Sequence, residues 1–374
     1  MAGTIGSPGL TARPGRPYTA PMKAWILGVV AVTVGAGCGG DDGAAGPDAG
    51  PLVDAGPGPV DDLAVQAGEP LPAGAWLLMN EWQADPNRVS ALAVTDLAGA
   101  TRTVFSANRV WSLGARADGR TIVFSSHDPQ REQAFGINFT DSIQNPFAYD
   151  TQTGAVTLLA PAGSGWANVN DECLVPSADG ASVYVCRRYD FTADGTFLGW
   201  RLGRITLADG SFTFLRPDAA GGPFELSPVE LPGGDRVLFE LRARPPASGV
   251  ALHIRTLSTG AETMLRASAR KPVLAPDGHR LVFADTTDQS RLKMLDLDAP
   301  ATAPIAVSPT LDVGDVVWSP DGTTLVYNVY DQPQNCDHLE RVTWTGTAWS
   351  APTRVRDCAV TGEFITNLAW VTVP

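Results

Sequence analysis

Trp318-Ser319-Pro320-Asp321-Gly322-Thr323-Thr324-Leu325-Val326-Tyr327 packs a strand end, a tight turn and an aliphatic–aromatic strand into one short stretch. Proline presets φ at the first turn position. Aspartate bonds back to the backbone, and glycine takes the positive φ of a bulged turn. Four further stretches repeat the arrangement: Cys173–Val185 around Asp179-Gly180, Val229–Phe239 around Gly233-Gly234, Val273–Phe283 around Asp277-Gly278, and Trp111–Phe124 around Asp118-Gly119. Self-similarity at a period of roughly 40–60 residues, built on strand-turn-strand units, is the pattern of propeller blades.

A second hairpin follows each inner one. These run over Leu92–Phe105, Phe147–Leu159, Gly203–Leu215, Leu252–Leu265, Leu292–Val307 and Arg341–Val355, with central turns such as Thr153-Gly154, Asp209-Gly210 and Thr259-Gly260. Six outer hairpins face five inner ones, and the two ends of the repeat region supply the missing pair. Ile365 to Val373 reads as an innermost strand, with Ala369-Trp370 matching Val317-Trp318. Ala75 to Trp82 reads as its neighbour, with Trp76-Leu77-Leu78 matching Thr324-Leu325-Val326. The expected architecture is therefore all-β: a six-bladed β-propeller of four-stranded antiparallel blades, its ring closed by pairing of the N- and C-terminal strands. Closure of this kind removes a free sheet edge.

The runs Trp318–Tyr327 and Leu274–Phe283 resemble the repeat of TolB-type propellers, and the resemblance covers residues 73–374. TolB is the six-bladed periplasmic component of the Tol-Pal envelope system. The resemblance implies a propeller of the cell envelope. It is specific for fold and says little about chemistry, because the same repeat occurs in peptidase propellers and in many other envelope proteins.

The N-terminal region reads as targeting followed by a spacer. Lys23 precedes the apolar run Ala24 to Gly37, which is too short to span a bilayer core of about 30 Å and suits a secretory signal. The run ends Val34-Gly35-Ala36-Gly37-Cys38, similar to a bacterial lipoprotein signal in which the cysteine becomes lipidated. Cys38 is the expected lipidation site, residues 1–38 the signal segment, and Met22 the expected start. Residues 39–72 are rich in Gly, Ala, Pro and Asp, a composition that cannot bury enough surface to offset ordering, and they read as an acidic tether. Gly39 after the cysteine favours outer-membrane sorting by the same resemblance.

Charge and cysteines narrow the class. Three cations lie in residues 1–38 and seven carboxylates in residues 39–70, so the remainder carries −9 of the formal −13. Such a balance argues against nucleic acid, which needs clustered Lys and Arg. Cys173 and Cys186 are symmetric about the Asp179-Gly180 turn, and Cys336 and Cys358 about Gly346-Thr347. A simple hairpin register would bring each pair within bridging distance, as suits an oxidising compartment. Buried free cysteines are the alternative.

Long connections all fall on one face of the ring, opposite the tight turns. That face would present Arg131, Phe135, Phe139, Trp166, Arg188, Tyr189, Phe197, Trp200 and Tyr330. Aromatics with arginine are the usual anchors of protein contacts and stack on sugar rings. The plainer reading has them packing their own loops. The four histidines, His127, His253, His279 and His338, show no ligand spacing, and no Gly-x-Ser-x-Gly elbow is present. No metal, cofactor or catalytic residue is expected. The sequence points to an exported, lipid-anchored envelope scaffold that binds a protein or a wall or glycan polymer through its long-loop face. Its head is expected to be monomeric, with contact to the membrane only through the anchor. The alternative is a carbohydrate-active propeller enzyme, a lyase or hydrolase, using the central channel with His127 or His338.

Overall fold

The computed structural model describes residues 68–374, apart from 84–88, 96, 98–100, 109, 111, 128–143, 160–169, 192–196, 217–221, 245–246, 310–312 and 359–362. Among the described residues the chain forms six four-stranded antiparallel sheets. Blade 1 contains β1 (Gly74–Gln83), β2 (Val89–Thr95) and β3 (Thr101–Asn108), completed from the far end of the chain by β24 (Glu363–Val373). Blade 2 is β4 (Ser112–Ala115), β5 (Thr121–His127), β6 (Gln144–Asp150) and β7 (Val156–Leu158). Blade 3 is β8 (Asn170–Pro176), β9 (Ser182–Phe191), β10 (Phe197–Thr206) and β11 (Phe212–Phe214). Blade 4 is β12 (Phe224–Glu230), β13 (Arg236–Arg242), β14 (Val250–Thr256) and β15 (Glu262–Ala267). Blade 5 is β16 (Ala269–Leu274), β17 (Arg280–Asp285), β18 (Arg291–Asp296) and β19 (Ile305–Ala306). Blade 6 is β20 (Val313–Trp318), β21 (Thr324–Asp331), β22 (Cys336–Thr343) and β23 (Thr353–Arg356).

The closing pair forms as the sequence implies. β24 lies antiparallel to β1 with Leu77 opposite Trp370 and Trp76 opposite Val371. The boundary of the packed chain differs from the compositional reading. Gly68 to Pro72, assigned by composition to the tether, lie on the propeller: Gly68 N–H donates to Gly154 O (3.1 Å) and Leu71 N–H to Thr151 O (2.7 Å). Leu71 is buried beside Val104, Tyr149 and Val373. One apolar side chain in a polar run suffices here, because neighbouring blades have already formed the socket.

Each inter-blade gap is filled by alternate side chains from the two sheets that face it. Between blades 1 and 2, Leu78 and Val371 meet Phe124 and Phe147, whose rings stack at 5.5 Å. Burial of each such phenylalanine contributes about 1.5–3 kcal/mol. Between blades 5 and 6, Val282 and Met294 meet Trp318, Tyr327 and Val342.

The inner turns behave as their composition dictates. Asp321 accepts from Thr323 N–H (2.9 Å) and from the Ser319 hydroxyl (2.6 Å), and Gly322 has φ +67°. At Gly119 (φ +69°) a Cβ would run into the carbonyl of Thr372 in the neighbouring blade, so glycine is needed both for conformation and for close approach.

Both expected disulfides are present, Cys173–Cys186 with Cα atoms 5.3 Å apart and Cys336–Cys358 at 5.9 Å. The simple register behind the first is corrected. A bulge between Glu172 and Val175 places Glu172, not Cys173, opposite Cys186. The bridge forms because Cys173 takes φ +56° in that bulge and turns toward its partner.

Candidate functional site

One strand from each blade, β4, β8, β12, β16, β20 and β24, lines a central channel of about 770 Å³. Its wall is aliphatic for most of its length, with Leu113, Leu174, Val229, Val273, Val317 and Ala369. Nearer the long-loop end the wall turns polar, and the repeat itself sets this. The residue seven positions before the inner-turn glycine is Ser112, Cys173, Ser227, Lys271 and Asp315 in blades 2 to 6. Asn367 takes the equivalent place in β24. All six line the channel.

These inner strands are bulged at or beside this position in blades 1, 3, 4, 5 and 6. Cys173, Ser227, Lys271 and Asn367 carry φ of +56°, +50°, +51° and +55°. A bulge leaves backbone groups without ladder partners, so something else must satisfy them. In blades 4 and 6 the residue six positions after the turn glycine, Glu240 or Asn328, serves that purpose, and in blades 2 and 1 the equivalent Ser125 and Asn80 bond other groups nearby. Asn328 accepts from Asp315 N–H, Glu240 accepts from Lys271 N–H in the next blade (3.1 Å), and Ser125 bonds Ser112 hydroxyl to hydroxyl (2.8 Å). Asn80 donates to Val110 O (2.6 Å) and Thr366 Oγ1 (3.1 Å) in blade 1. In blade 3 the same two positions are Cys173 and Cys186, so a covalent bond replaces the hydrogen bond.

The resulting collar has an ionic sector. Lys271 Nζ lies 3.2 Å from Asp315 and donates to Gly314 O at 3.0 Å. Asp315 in turn accepts from Asn367 N–H at 2.8 Å. Glu172 faces the same channel from blade 3. Behind the wall, Asp171 and Arg187 form a buried two-point ion pair at 2.7 and 2.9 Å. Burial pushes the Arg187 guanidinium down from its usual range, and Asp171 opposes this. At the seam between blades 6 and 1, Arg356 pairs with Glu81 (2.5 Å) and Glu363 (2.8 Å). Burial raises the Glu81 carboxyl above the ordinary range, with Arg356 opposing and Glu363 adding to the rise.

Of the nine expected face residues, Arg131, Phe135, Phe139 and Trp166 lie outside the described residues. Arg188 and Tyr189 lie in β9 and Phe197 in β10, at the loop-side ends of paired strands. Trp200 and Tyr330 are half-buried, and each packs on an aromatic that opens the next blade. Trp200 meets Phe224 edge-on at 5.3 Å, and Tyr330 stacks with Phe364 at 6.3 Å and donates to Asn335 Oδ1 (2.9 Å). Both contacts bridge neighbouring blades at the loop face.

His253, His279 and His338 lie outside the channel lining. His253 bonds Glu262 at 3.0 Å in β14, His338 is buried in β22 beside Glu340 at 3.3 Å, and exposed His279 pairs with Asp298 at 2.8 Å on the tight-turn face. His127 ends β5. Among the described residues no group of three or more His, Cys, Asp or Glu is placed to hold a metal ion. The collar was missed in the sequence because Ser227, Lys271 and Asp315 look like ordinary strand residues. Their shared offset from the turn glycine was the available signal.

No protein-family model and no curated protein sequence matches the chain. Similar solved structures include TolB from Acinetobacter baumannii, at TM-score 0.59 and 16% identity over 80% of this chain and 66% of that one. A chain of a nidogen/laminin complex matches at 0.55 and 10% over 80% and 98%. PpgL, a periplasmic gluconolactonase of Pseudomonas aeruginosa, matches at 0.50 and 13% over 80% and 100%. The chain thus spans about two thirds of the length of that TolB. At such identities the likeness is one of fold, and in fold this chain is a TolB-like β-propeller.

Proposed function

We propose that this chain is an exported, lipid-anchored envelope scaffold that binds a protein or a wall or glycan polymer at the long-loop face, around the channel mouth. The observation that carries the reading is the polar collar: Lys271, Asp315, Asn367, Ser227 and Glu172 converge on the loop-side part of an otherwise aliphatic channel. Concave sites with a few convergent polar groups on an apolar wall are the usual form of a binding site. The loop-side strand ends that surround it carry Arg188, Tyr189, Phe197, Trp200 and Tyr330. Anchoring through Cys38 and the outer-membrane location belong to the same reading and rest on the signal-like start.

A photo-crosslinking side chain at Gln332 or Ser248, in loop-face connections, tests it against one at Thr347 on the opposite face. The reading expects crosslinks to envelope material from the first two positions, and co-sedimentation of the head with purified wall polymer if the partner is a glycan. Crosslinks from Thr347 alone, or none from any position together with no sedimentation, would overturn it.

A further inference from the structure

Blade 3 closes its part of the collar with a covalent bond where blades 2 and 6 use weaker ones. The positions of Cys173 and Cys186 correspond to Ser112 and Ser125 in blade 2, bonded hydroxyl to hydroxyl at 2.8 Å, and to Asp315 and Asn328 in blade 6, joined by a hydrogen bond from the backbone. Blade 3 is also held without its bridge. Asp171 and Glu172 pair with Arg187 and Cys186 before the bulge, and Val175 and Pro176 pair with Tyr184 and Val183 after it. The Asp171–Arg187 ion pair spans the same two strands at 2.7 and 2.9 Å. Opening the disulfide therefore takes no ladder pair with it. The two cysteines also differ in surroundings. Cys173 is half-buried and lines the channel, whereas Cys186 is fully buried beside Leu202 and Phe239. The other bridge is built differently: Cys336 is fully buried, and Cys358 lies past the last ladder pair, Leu339–Arg356, on the path to β24.

We infer that Cys173–Cys186 is a thiol–disulfide exchange site opening into the channel, at which a thiol-bearing molecule becomes bonded to Cys173, and that Cys336–Cys358 is the structural bridge. The inference concerns the channel wall itself and goes beyond the scaffold reading, since it stands whatever the loop face binds. In the exchange the entering thiolate attacks the Cys173 sulfur. The Cys173–Cys186 bond breaks, a bond from Cys173 to the entering sulfur forms, and the electron pair leaves with Cys186. The proton that the thiol gave up ends on the Cys186 sulfur, whose apolar surroundings favour the neutral thiol. One disulfide is traded for another, so no outside oxidant or reductant is consumed. Afterwards the β8–β9 ladder and the Asp171–Arg187 pair still hold the two strands. Charge sets which thiol is favoured. Glu172 lines the channel next to Cys173, while the Lys271 ammonium is engaged by Asp315 at 3.2 Å and Gly314 O at 3.0 Å. A cationic thiol therefore suits the site better than an anionic one.

The test uses the full chain in its native state, equilibrated with mixtures of cysteamine and cystamine. Samples are quenched and unfolded in acid with N-ethylmaleimide, and the peptides are weighed by mass spectrometry. Cysteamine is expected on Cys173, with the maleimide on Cys186, at a thiol concentration roughly tenfold below the one that opens Cys336–Cys358. Circular dichroism of the exchanged protein should match that of the parent. Mercaptoethanesulfonate with its own disulfide should modify Cys173 several-fold less, the difference being largest at low salt. Glu172→Gln should narrow that difference. Opening of Cys336–Cys358 before the other bridge, exchange at either bridge only in urea, or an adduct on Cys186 in place of Cys173 would overturn the inference. Equal modification by the two thiols in the unmutated protein would strike the charge preference from it. The comparison of the two bridges needs no substitution, so it stands even if Glu172→Gln fails to fold.

Discussion

The Asp337 carboxylate, on β22 of blade 6, accepts the backbone N–H of Ile365, on the closing strand of blade 1, at 3.0 Å. Asn328 of blade 6 donates to the carbonyl of the same Ile365 at 2.8 Å, and Asp315 holds the next bulged N–H at Asn367. The last strand is thus gripped by its own sheet through β1 and, edge-on, by side chains of the preceding blade. Asp337→Ala would leave a buried donor at Ile365 without its acceptor. A loss of about 1–3 kcal/mol is expected from urea unfolding, with most of it restored in Asp337→Asn, which keeps an acceptor oxygen. An Asn variant as damaged as the Ala variant would mean that the charge, not the acceptor, matters.

The two disulfides close loops of sequence separation 13 and 22. Chain entropy assigns loops of this size about 3 kcal/mol each. Cys173→Ser paired with Cys186→Ser, and Cys336→Ser paired with Cys358→Ser, should each lower unfolding free energy by about that amount. The first pair should cost less, because Ser at those positions reproduces the Ser112–Ser125 bond that blade 2 already uses. Denaturation of the two double variants side by side measures the difference. Equal costs would show that the hydroxyl pair does not substitute.

Leu71→Ala should destabilise the head by about 2–5 kcal/mol, the usual cost of a buried leucine truncation. Limited proteolysis of the intact chain should leave a core whose N-terminus lies close to Gly68, not residue 73. A core trimmed to residue 73 with unchanged stability would show that Gly68 to Pro72 contribute nothing.

Gly68 to Pro72 also mark where the sequence stopped being readable. The hairpins, the closing pair Leu77–Trp370 and the turn chemistry of Asp321-Gly322 were legible because each is written within a few residues and repeated. Leu71 was not, because its burial depends on Val104, Tyr149 and Val373, which only the closed ring brings together. The bulge at Cys173 hid in the same way. The pair's symmetry about Gly180 foretold the bond, yet the bulge that turns Cys173 toward Cys186 has no local sequence mark.

Acid should unfold the head through its turns. The Ser319 hydroxyl and Thr323 N–H hold the Asp321 carboxyl below its usual 3.8, and Ser177 with Ala181 N–H does the same at Asp179. A folded value below the unfolded one means stability that is present above the unfolded pKa and lost as pH falls through the folded one. Glu81 and Glu225 run the other way: burial raises both above 4.5, so protonation on the way down relieves a cost and stabilises. Melting temperature should therefore rise slightly on mild acidification from neutrality and then fall below about pH 4. Replacing Glu81 by Gln should flatten the rise, and Asp321→Asn should soften the fall. A monotonic profile unaffected by either change would contradict the assignment.

Lys271→Asn separates binding from folding at the collar. Lys271 and Asp315 are 39% and 33% exposed, and pairs of that kind contribute about 0–1 kcal/mol. Asparagine tolerates the left-handed backbone that Lys271 adopts, and Asn367 already fills the same bulge in blade 1. The variant should melt within a few degrees of the parent. If the collar receives the partner, the exchange removes the Lys271 cation from the channel wall beside Asp315. Retention on purified wall polymer, or crosslinking from Gln332, should fall accordingly, and more steeply at low salt than at high salt. Unchanged retention in a normally folded variant would move the contact off the channel mouth and onto the loops around it.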